Sequence, residues 1–149
     1  MPEISQKIRL SAMNLLARRE HSCGELIFKL RKRFVDSDER IIEEVTRLCS
    51  EGLQSDHRMA SEYIYFRSKR GLGPKKIKAE LRLKGISDNL LEQVFSESSV
   101  DWESVLENVI NKKMSQGGFA LDTFEAKHKV MTFLQKRGFE SDQIRDFIR

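Results

Sequence analysis

The sequence predicts an all-α protein built as three tandem three-helix repeats in an elongated, curved array. Three observations support this fold class. Apolar residues recur at helical spacing along the whole chain, and only two prolines and eight glycines interrupt it. The helical pattern also restarts about every fifty residues. We therefore expect three-helix repeats at residues 1–52, 53–98 and 99–149.

The first repeat contains three predicted helices. The second of them begins after Ser22, the first residue of a Ser-x-x-Glu capping box, and runs to about Arg33. The third begins near Ser37 or Asp38 and ends at Gly52. The apolar faces of the three helices comprise Ile4, Ile8, Ala12, Leu15, Leu16, Leu26, Ile27, Leu30, Ile41, Ile42, Val45 and Leu48.

The second repeat restarts the pattern. Ser55 caps the fourth helix, which Gly71-Leu72-Gly73 ends. Pro74 stands at the first position of the fifth helix, where proline is favoured. Gly85 ends that helix and Ser87 caps the sixth. The apolar positions are Met59, Ala60, Tyr63, Ile64, Phe66, Ile77, Leu81, Leu91, Val94 and Phe95.

The third repeat follows the same order. A loop from Ser115 to Thr123, containing Gly117-Gly118, separates the seventh and eighth helices. The eighth helix ends at Gly138, and Ser141 caps the ninth. The apolar positions are Trp102, Val105, Leu106, Val109, Ile110, Val130, Phe133, Leu134, Ile144, Phe147 and Ile148.

Matching positions relate the three repeats. Leu26 lies 51 positions before Ile77, which lies 53 positions before Val130. Lys84-Gly85-Ile86 is echoed by Arg137-Gly138-Phe139. Each repeat is too small to bury its own apolar stripe, so we expect neighbouring repeats either to stack or to share short interfaces.

The charge is strongly segregated. The net charge is +4, yet residues 67–84 hold eight Lys/Arg and one acid, a balance of 8 − 1 = +7 that leaves 4 − 7 = −3 elsewhere. Residues 88–107 hold six acids and no Lys or Arg. The basic residues are Arg67, Lys69, Arg70, Lys75, Lys76, Lys78, Arg82 and Lys84.

The fifth helix carries the centre of this charge. Lys75, Lys78 and Arg82 fall within about 60° of one another at 100° per residue, and few acids stand at i+4 spacing to pair with them. We expect a solvent-facing cationic stripe without internal counter-ions, which indicates an anionic partner, either phosphate or an acidic protein surface. A merely solvated charged face is the alternative. Arg31, Arg33, Lys136 and Arg137 are lesser candidates for the same surface.

No catalytic motif is apparent, so we expect a protein that is not an enzyme and has no cofactor. Cys23 and Cys49 form no zinc signature, and the three histidines have no ligand-spaced companion. Cys23 follows a helix N-cap, where a thiol pKa can fall, but a buried or idle thiol is preferred. Tyr63, Tyr65 and Phe66 could stack on bases, although a core role is preferred. With no apolar span or signal peptide in the sequence, we expect a cytoplasmic protein that does not bind membranes. We also expect a monomer.

The central block of the chain resembles the RecX family of recombination regulators. It runs from Gly52-Leu53-Gln54-Ser55-Asp56 through Arg67-Ser68-Lys69-Arg70-Gly71-Leu72-Gly73-Pro74 to Lys84-Gly85-Ile86. Weaker similarity covers Ala12 to Arg19 and Phe133 to Phe139, and thus the whole chain. Gln54 and Met59 depart from the family pattern, and Arg33-Phe34-Val35 lacks the glycine of the other two repeats.

The resemblance implies a curved array of three three-helix units that binds the RecA recombinase filament on DNA. Such proteins settle into the filament groove, limit its growth and lower its ATP hydrolysis, strand exchange and co-protease activity. The resemblance also implies that DNA is contacted weakly or through the filament. A stand-alone basic nucleic-acid-binding module is the alternative, and only the +7 charge balance of residues 67–84 supports it.

Overall fold

Helices account for most of the described chain. The computed structural model describes residues 2–116 and 123–148, and within these ranges it contains helices and no β-strand. The described helices are α1 (Pro2–Arg18), α2 (Cys23–Arg33), α3 (Asp38–Ser50), α4 (Asp56–Lys69), α5 (Pro74–Leu83), α6 (Asp88–Glu97), α7 (Trp102–Ser115), α8 (Phe124–Lys136) and α9 (Ser141–Ile148). The all-α class and the predicted order of helices are confirmed. The predicted glycine pair Gly117-Gly118 lies outside the described residues.

The described residues divide into two compact units. Those of Met1–Glu62 and Leu81–Ser96 form one, here called the N-terminal unit, and those of Tyr63–Glu80 and Glu97–Arg149 form the other, the C-terminal unit. The three boundaries between the units fall inside helices, in α4, in α5 and before the last residue of α6. The predicted repeat boundaries at residues 52 and 98 stay a prediction.

Each unit is organised around an apolar cluster at the predicted helical spacing. In the N-terminal unit the cluster comprises Ile8, Ala12, Leu26, Leu30, Ile41, Val45 and Leu48. In the C-terminal unit it comprises Leu106, Ile110, Val130, Leu134, Phe139, Ile144 and Ile148. Removing these side chains from water provides the main driving force for each cluster.

Four residues that the sequence assigned to apolar faces are exposed instead. Ile42 is 46% exposed and Phe66 is 59% exposed, while Ile4 and Phe147 lie just above one third. Ile42 follows the buried Ile41, and one residue along a helix rotates a side chain by about 100°. The apolar stripe is therefore narrower than predicted at these positions.

Serine caps begin α2, α4 and α6 as predicted. The Ser22 hydroxyl accepts a hydrogen bond from the Glu25 amide at 3.0 Å, and the Glu25 carboxylate accepts one from the Ser22 amide at 3.1 Å, which completes the capping box. The Ser55 and Ser87 hydroxyls accept from backbone amides three residues ahead, at 3.1 and 3.3 Å.

The predicted cap at Ser141 is wrong by one residue. The Ile144 amide donates to the carbonyl of Glu140, so Glu140 is the N-cap residue of α9 and Ser141 is the first helical residue. The Ser141 hydroxyl instead accepts a hydrogen bond from the Gln135 side chain at 2.6 Å.

The echoed triplets 84–86 and 137–139 form the same helix-ending turn. Gly85 and Gly138 have φ of 89° and 99°, a region that glycine enters without steric cost. The Ile86 amide donates to the Leu81 carbonyl, and the Phe139 amide donates to the Leu134 carbonyl, as in a Schellman motif. In the first repeat, which lacks this glycine, Asp36 supplies the positive φ at 57°.

Each of these turns receives the start of another helix, an arrangement here called the helix joint. In the N-terminal unit, the Ser22 hydroxyl at the start of α2 donates to the Lys84 carbonyl at 2.5 Å. In the C-terminal unit, Gly73 and Lys75 at the start of α5 donate their amides to the carbonyls of Arg137 and Gly138, at 2.7 and 3.0 Å. The repeat that was visible in the sequence therefore corresponds to a repeated contact.

No helix within 2–116 or 123–148 is both long and apolar enough to cross a membrane.

Candidate functional site

The basic segment 67–84 comprises the last turn of α4, a glycine-containing turn, the whole of α5 and Lys84 after it. Gly71 has a φ of 84°, and the amides of Gly71 and Leu72 donate to carbonyls of the last turn of α4. The cations Arg67, Lys69 and Arg70 lie at that helix end, where positive charge is favoured by the helix dipole. Local backbone structure thus concentrates positive charge without help from distant residues.

Arg67 is bound by an acid of its own segment. Its guanidinium donates two hydrogen bonds to the Glu80 carboxylate, at 3.1 and 3.0 Å, and the Tyr63 hydroxyl donates a third at 2.9 Å. Burial alone would raise the pKa of Glu80, but the hydrogen bonds from Arg67 and Tyr63 outweigh it and lower the pKa. The expectation that this segment lacks internal counter-ions is wrong at Arg67.

Three further cations of the segment also form ion pairs. Lys84 contacts Glu25 at 3.0 Å, Arg82 contacts Asp88 at 2.9 Å, and Lys75 contacts Glu140 at 3.8 Å. The Arg82 and Lys75 pairs are largely exposed at both ends, so solvent and salt screen them strongly. An anionic partner could replace such exposed carboxylates, whereas the Lys84–Glu25 pair is mostly buried.

Lys69, Arg70 and Lys76 are solvent-facing cations without acidic partners among the described residues, as the sequence predicted. All three are exposed, and none forms an ion pair with an acidic side chain of the described residues. Lys78 is half-buried on α5. The predicted stripe of Lys75, Lys78 and Arg82 is thus not a set of free cations, since two of its members have carboxylate neighbours.

The lesser candidates lie in different surroundings. Arg31 contacts Asp38 at 3.3 Å, and Arg33 donates to the Ser11 hydroxyl at 3.3 Å, both in the N-terminal unit. In the C-terminal unit, Lys136 is exposed, and Arg137 donates to the Arg70 carbonyl at 3.2 Å. Arg137 is therefore the lesser candidate that the structure places beside the basic segment.

The C-terminal unit contains a groove, here called the cationic groove, of about 620 Å³. It lies between the end of α4, α7 and α8. Its charged lining residues within the described part of the chain are five cations and one acid: Lys69, Arg70, Lys112, Lys113, Arg137 and Asp101. A Cβ on Gly71 would lie 2.8 Å from Val109 and 3.0 Å from Arg137, so glycine here allows the close approach of these elements.

Lys112 and Lys113 are groove residues that were not predicted from the sequence. Both lie in the last turn of α7, just beyond the acidic stretch 88–107. The available signal was the reversal of charge at the end of that helix. Their proximity to Lys69 and Arg70 depends on tertiary packing, which no local pattern specifies.

Asp101 is occupied as a helix cap. Its carboxylate accepts hydrogen bonds from the amides of Glu103 and Ser104 and from the Ser104 hydroxyl. The Ser104 hydroxyl, followed by the two amides, lowers the pKa of Asp101 despite a small opposing effect of burial. The single acidic side chain among the described groove residues is thus already hydrogen-bonded as the N-cap of α7.

Two aromatic side chains of α4 are on the surface, contrary to the preferred core interpretation. Tyr65 and Phe66 are 48% and 59% exposed, and their rings meet edge to face with centroids 5.3 Å apart. The Lys69 ammonium lies 4.3 Å from the centre of the Tyr65 ring. Tyr63, in contrast, is half-buried and hydrogen-bonded to Glu80.

The described residues contain no cluster of potential metal ligands, and Cys23 has a raised thiol pKa. No group of three or more His, Cys, Asp or Glu in these ranges is arranged to hold a metal ion. Burial raises the pKa of the Cys23 thiol to about 11, with a smaller contribution from Asp56, so the thiol stays protonated at neutral pH. The lowered pKa considered at its helix start is wrong, and the interpretation as an idle thiol fits.

Comparison with known proteins identifies relatives of the chain. Residues 55–94 match the family description "RecX, second three-helix domain", and residues 101–148 match "RecX, third three-helix domain". The protein named Regulatory protein RecX from Pseudomonas putida (strain GB-1) is 41% identical over 137 residues, which cover 92% of this chain and 86% of that protein. The protein of the same name from Haemophilus influenzae (strain 86-028NP) is 36% identical, with 91% and 89% covered.

Solved structures agree on the fold. The crystal structure of RecX from Lactobacillus salivarius superposes with a TM-score of 0.76 at 24% identity, covering 99% of this chain and 96% of that one. At this identity the likeness concerns the fold alone. The relatives at 36–41% identity support membership of the family, because they match nearly the whole chain. Two three-helix domains of the family match the chain as well. On these grounds the chain belongs to the RecX family of regulatory proteins.

Proposed function

We propose that this protein binds the RecA filament on DNA and limits filament growth, ATP hydrolysis, strand exchange and co-protease activity. The observation that carries the proposal is the 36–41% identity to proteins named Regulatory protein RecX, over 91–92% of the chain. Regulation by binding requires no catalytic group. The protein is proposed to act in the cytoplasm, because its partner forms on chromosomal DNA. It is also proposed to act as a monomer.

The partner-binding surface in this proposal is the basic segment, with the lesser contributors Arg31, Arg33, Lys136 and Arg137. Lys69, Arg70 and Lys76 support it most directly, since they are exposed and form no ion pair in the described part of the chain. The exposed pairs of Lys75 and Arg82 support it further, because weak surface pairs exchange readily for a stronger anionic partner.

Adding the purified protein to RecA on single-stranded DNA should depress the rate of ATP hydrolysis. The expected reason is that the bound protein limits the length of active filament. A parallel co-sedimentation experiment should recover the protein with RecA-coated DNA more than with bare DNA. Unchanged ATP turnover at several-fold molar excess, in a preparation with normal helical content, would contradict the proposal.

A stand-alone nucleic-acid-binding module is the second candidate. It is favoured by the +7 balance of residues 67–84 and by the cationic groove. Binding through phosphates alone predicts that log affinity falls with log salt concentration, with a slope near −0.9 per phosphate contacted on a duplex. Tight binding to bare DNA at physiological salt, with no preference for RecA-coated DNA, would favour this candidate.

A further inference from the structure

The cationic groove of the C-terminal unit has an excess of positive charge that its own surroundings leave uncompensated. Among its lining residues, Lys69, Arg70, Lys112 and Arg137 form no ion pair with any acidic side chain in the ranges 2–116 and 123–148. Asp101, the acid of the groove, is already bound to the start of α7. Gathering like charges in one concavity is unfavourable in the free protein, so this arrangement suits an anionic ligand.

The groove is partly organised before any ligand binds. The Arg137 guanidinium donates to the Arg70 carbonyl at 3.2 Å and lies 5.0 Å from the centre of the Phe133 ring. The Lys113 ammonium lies 4.5 Å from the centre of the same ring. Two cations are thus held over one aromatic ring. Because their side chains are already partly ordered, they lose less conformational entropy when an anion binds.

Neutral hydrogen-bonding side chains accompany these cations. Ser104, Asn108 and Gln116 line the same groove. Cations mixed with hydroxyl and amide side chains are typical of contacts to the phosphates and sugars of nucleic acids. The chemistry of the lining therefore favours a phosphodiester chain over an isolated anion.

The exposed aromatic pair on α4 distinguishes a single strand from other polyanions. Lys69 connects the two features, because it lines the groove and also covers the Tyr65 ring. Phe66 stands edge to face with Tyr65 and is more exposed than Tyr65. A cationic channel beside aromatic rings is the usual design of single-strand binding, since unpaired bases stack on the rings. A duplex keeps its bases stacked inside, and an acidic peptide has no bases to place there.

We infer that the cationic groove binds a single-stranded nucleic acid, with phosphates at Lys69, Arg70, Lys112 and Arg137 and a base against Phe66. The inference deepens the proposed function and rests on it, because it assigns this groove to the DNA of the filament and not to the filament's protein.

Fluorescence anisotropy with labelled oligothymidylate tests the inference. We would use a strand of about twelve nucleotides, within the site sizes of single-strand-binding folds, in low-salt buffer. The variant Arg70→Glu/Lys112→Glu should lose roughly tenfold or more in affinity, since two phosphate contacts become repulsive. Lys129→Glu/Arg145→Glu is the matched control for charge, because both residues are exposed in the same unit outside the groove, and it should bind nearly as the unaltered protein does.

An abasic strand with the same number of phosphates separates base contacts from charge. Phe66→Ala should lower the affinity for oligothymidylate by about fivefold or more and leave the affinity for the abasic strand unchanged. If charge reversal perturbs the circular dichroism spectrum, Arg70→Gln/Lys112→Gln serves in its place, with a smaller loss expected.

Three outcomes would overturn the inference: equal binding by the groove variant and the control, no preference for the strand with bases, or equally effective competition by polyglutamate. The last would assign the groove to acidic protein surface. The RecA ATPase assay on the same preparations keeps the two proposals apart. If the unaltered protein depresses ATP turnover but the groove variants bind oligothymidylate normally, the groove inference fails and the proposed function stands. If the unaltered protein leaves ATP turnover unchanged, the proposed function fails.

Discussion

The carboxylate of Glu25 connects the start of α2 to distant cations of the N-terminal unit. It accepts from Arg19 at 2.8 Å, from Lys84 at 3.0 Å and from the Ser22 amide at 3.1 Å. Burial would raise its pKa, but the hydrogen bonds from Arg19, Lys84 and Ser22 outweigh burial and lower the pKa to about 2. A carboxyl group shifted in this direction stabilises the fold when ionised.

The stabilising effect of Glu25 should depend on pH in a defined window. The folded pKa lies below the ordinary value of 4.5, so the effect is fully present above pH 4.5 and is lost as the pH falls towards 2. Glu25→Gln should lower the free energy of unfolding at neutral pH by up to about 3 kcal/mol. Urea titrations at a series of pH values should show this difference shrinking on acidification. A difference that stays constant down to pH near 2.5 would contradict this assignment.

Local side-chain roles were predictable where sequence neighbours decide them. The Ser22–Glu25 capping box is a pattern of four consecutive residues, and the structure contains it. The counter-ions were missed because the i+4 rule covers only one helix. Glu25 is 59 positions from Lys84, and Glu140 belongs to another repeat than Lys75. The exposure of Tyr65 and Phe66 likewise depends on which neighbours cover α4.

At the level of helices, the helix joint depends on the absence of side chains at glycines that include Gly24 and Gly73. A Cβ on Gly73 would lie 2.5 Å from the backbone of Gly138, and one on Gly24 would lie 2.9 Å from the Lys84 carbonyl oxygen. Neither contact involves a flexible side chain that could move aside. The helix order and most helix ends were predictable from apolar spacing and turn residues. The joint itself was not predicted, although the similar triplets 84–86 and 137–139 mark the two turns that form it.

Gly73→Ala should destabilise the protein more than an alanine at a glycine that has a positive φ but no close neighbours. Gly52 supplies the matched control, because it has a φ of 79° but no atom lies within 4 Å of the position that a Cβ would take there. We expect a loss of about 3 kcal/mol for Gly73→Ala from steric overlap and about 1 kcal/mol for Gly52→Ala from backbone strain. Urea denaturation followed by circular dichroism measures both. Equal losses would mean that the joint relaxes without cost.

For the molecule as a whole, the segregation of charge matters more than the net charge of +4. The sequence was sufficient to locate the basic segment. It could not indicate that Arg67 is internally bound while Lys112 and Lys113 lie beside Lys69 and Arg70, because both facts arise from tertiary contacts. The proposed partner-binding surface therefore draws on residues from several helices.

Reversing charge on α5 should abolish filament binding and leave the fold intact. Lys75→Glu/Lys78→Glu/Arg82→Glu changes the charge by six units on one helix, and the ion pairs that it removes at Lys75 and Arg82 are exposed and weak. Co-sedimentation with RecA filaments measures binding, and circular dichroism measures helical content. Lys7→Glu/Arg18→Glu/Arg145→Glu makes the same change of charge elsewhere and should still sediment with filaments. Normal binding by the α5 variant would remove this helix from the partner surface.

The C-terminal helix joint is made by main-chain groups, with the amides of Gly73 and Lys75 donating to the carbonyls of Arg137 and Gly138. Main-chain groups are the same in every amino acid except proline, which lacks the amide hydrogen. Mutations that alter the side chains at 75 and 137 should therefore change the proposed binding surface and leave these backbone hydrogen bonds in place. The side chains of this surface and the backbone that supports them can therefore evolve at separate rates, as long as Gly73 and Gly138 remain where the two backbones touch.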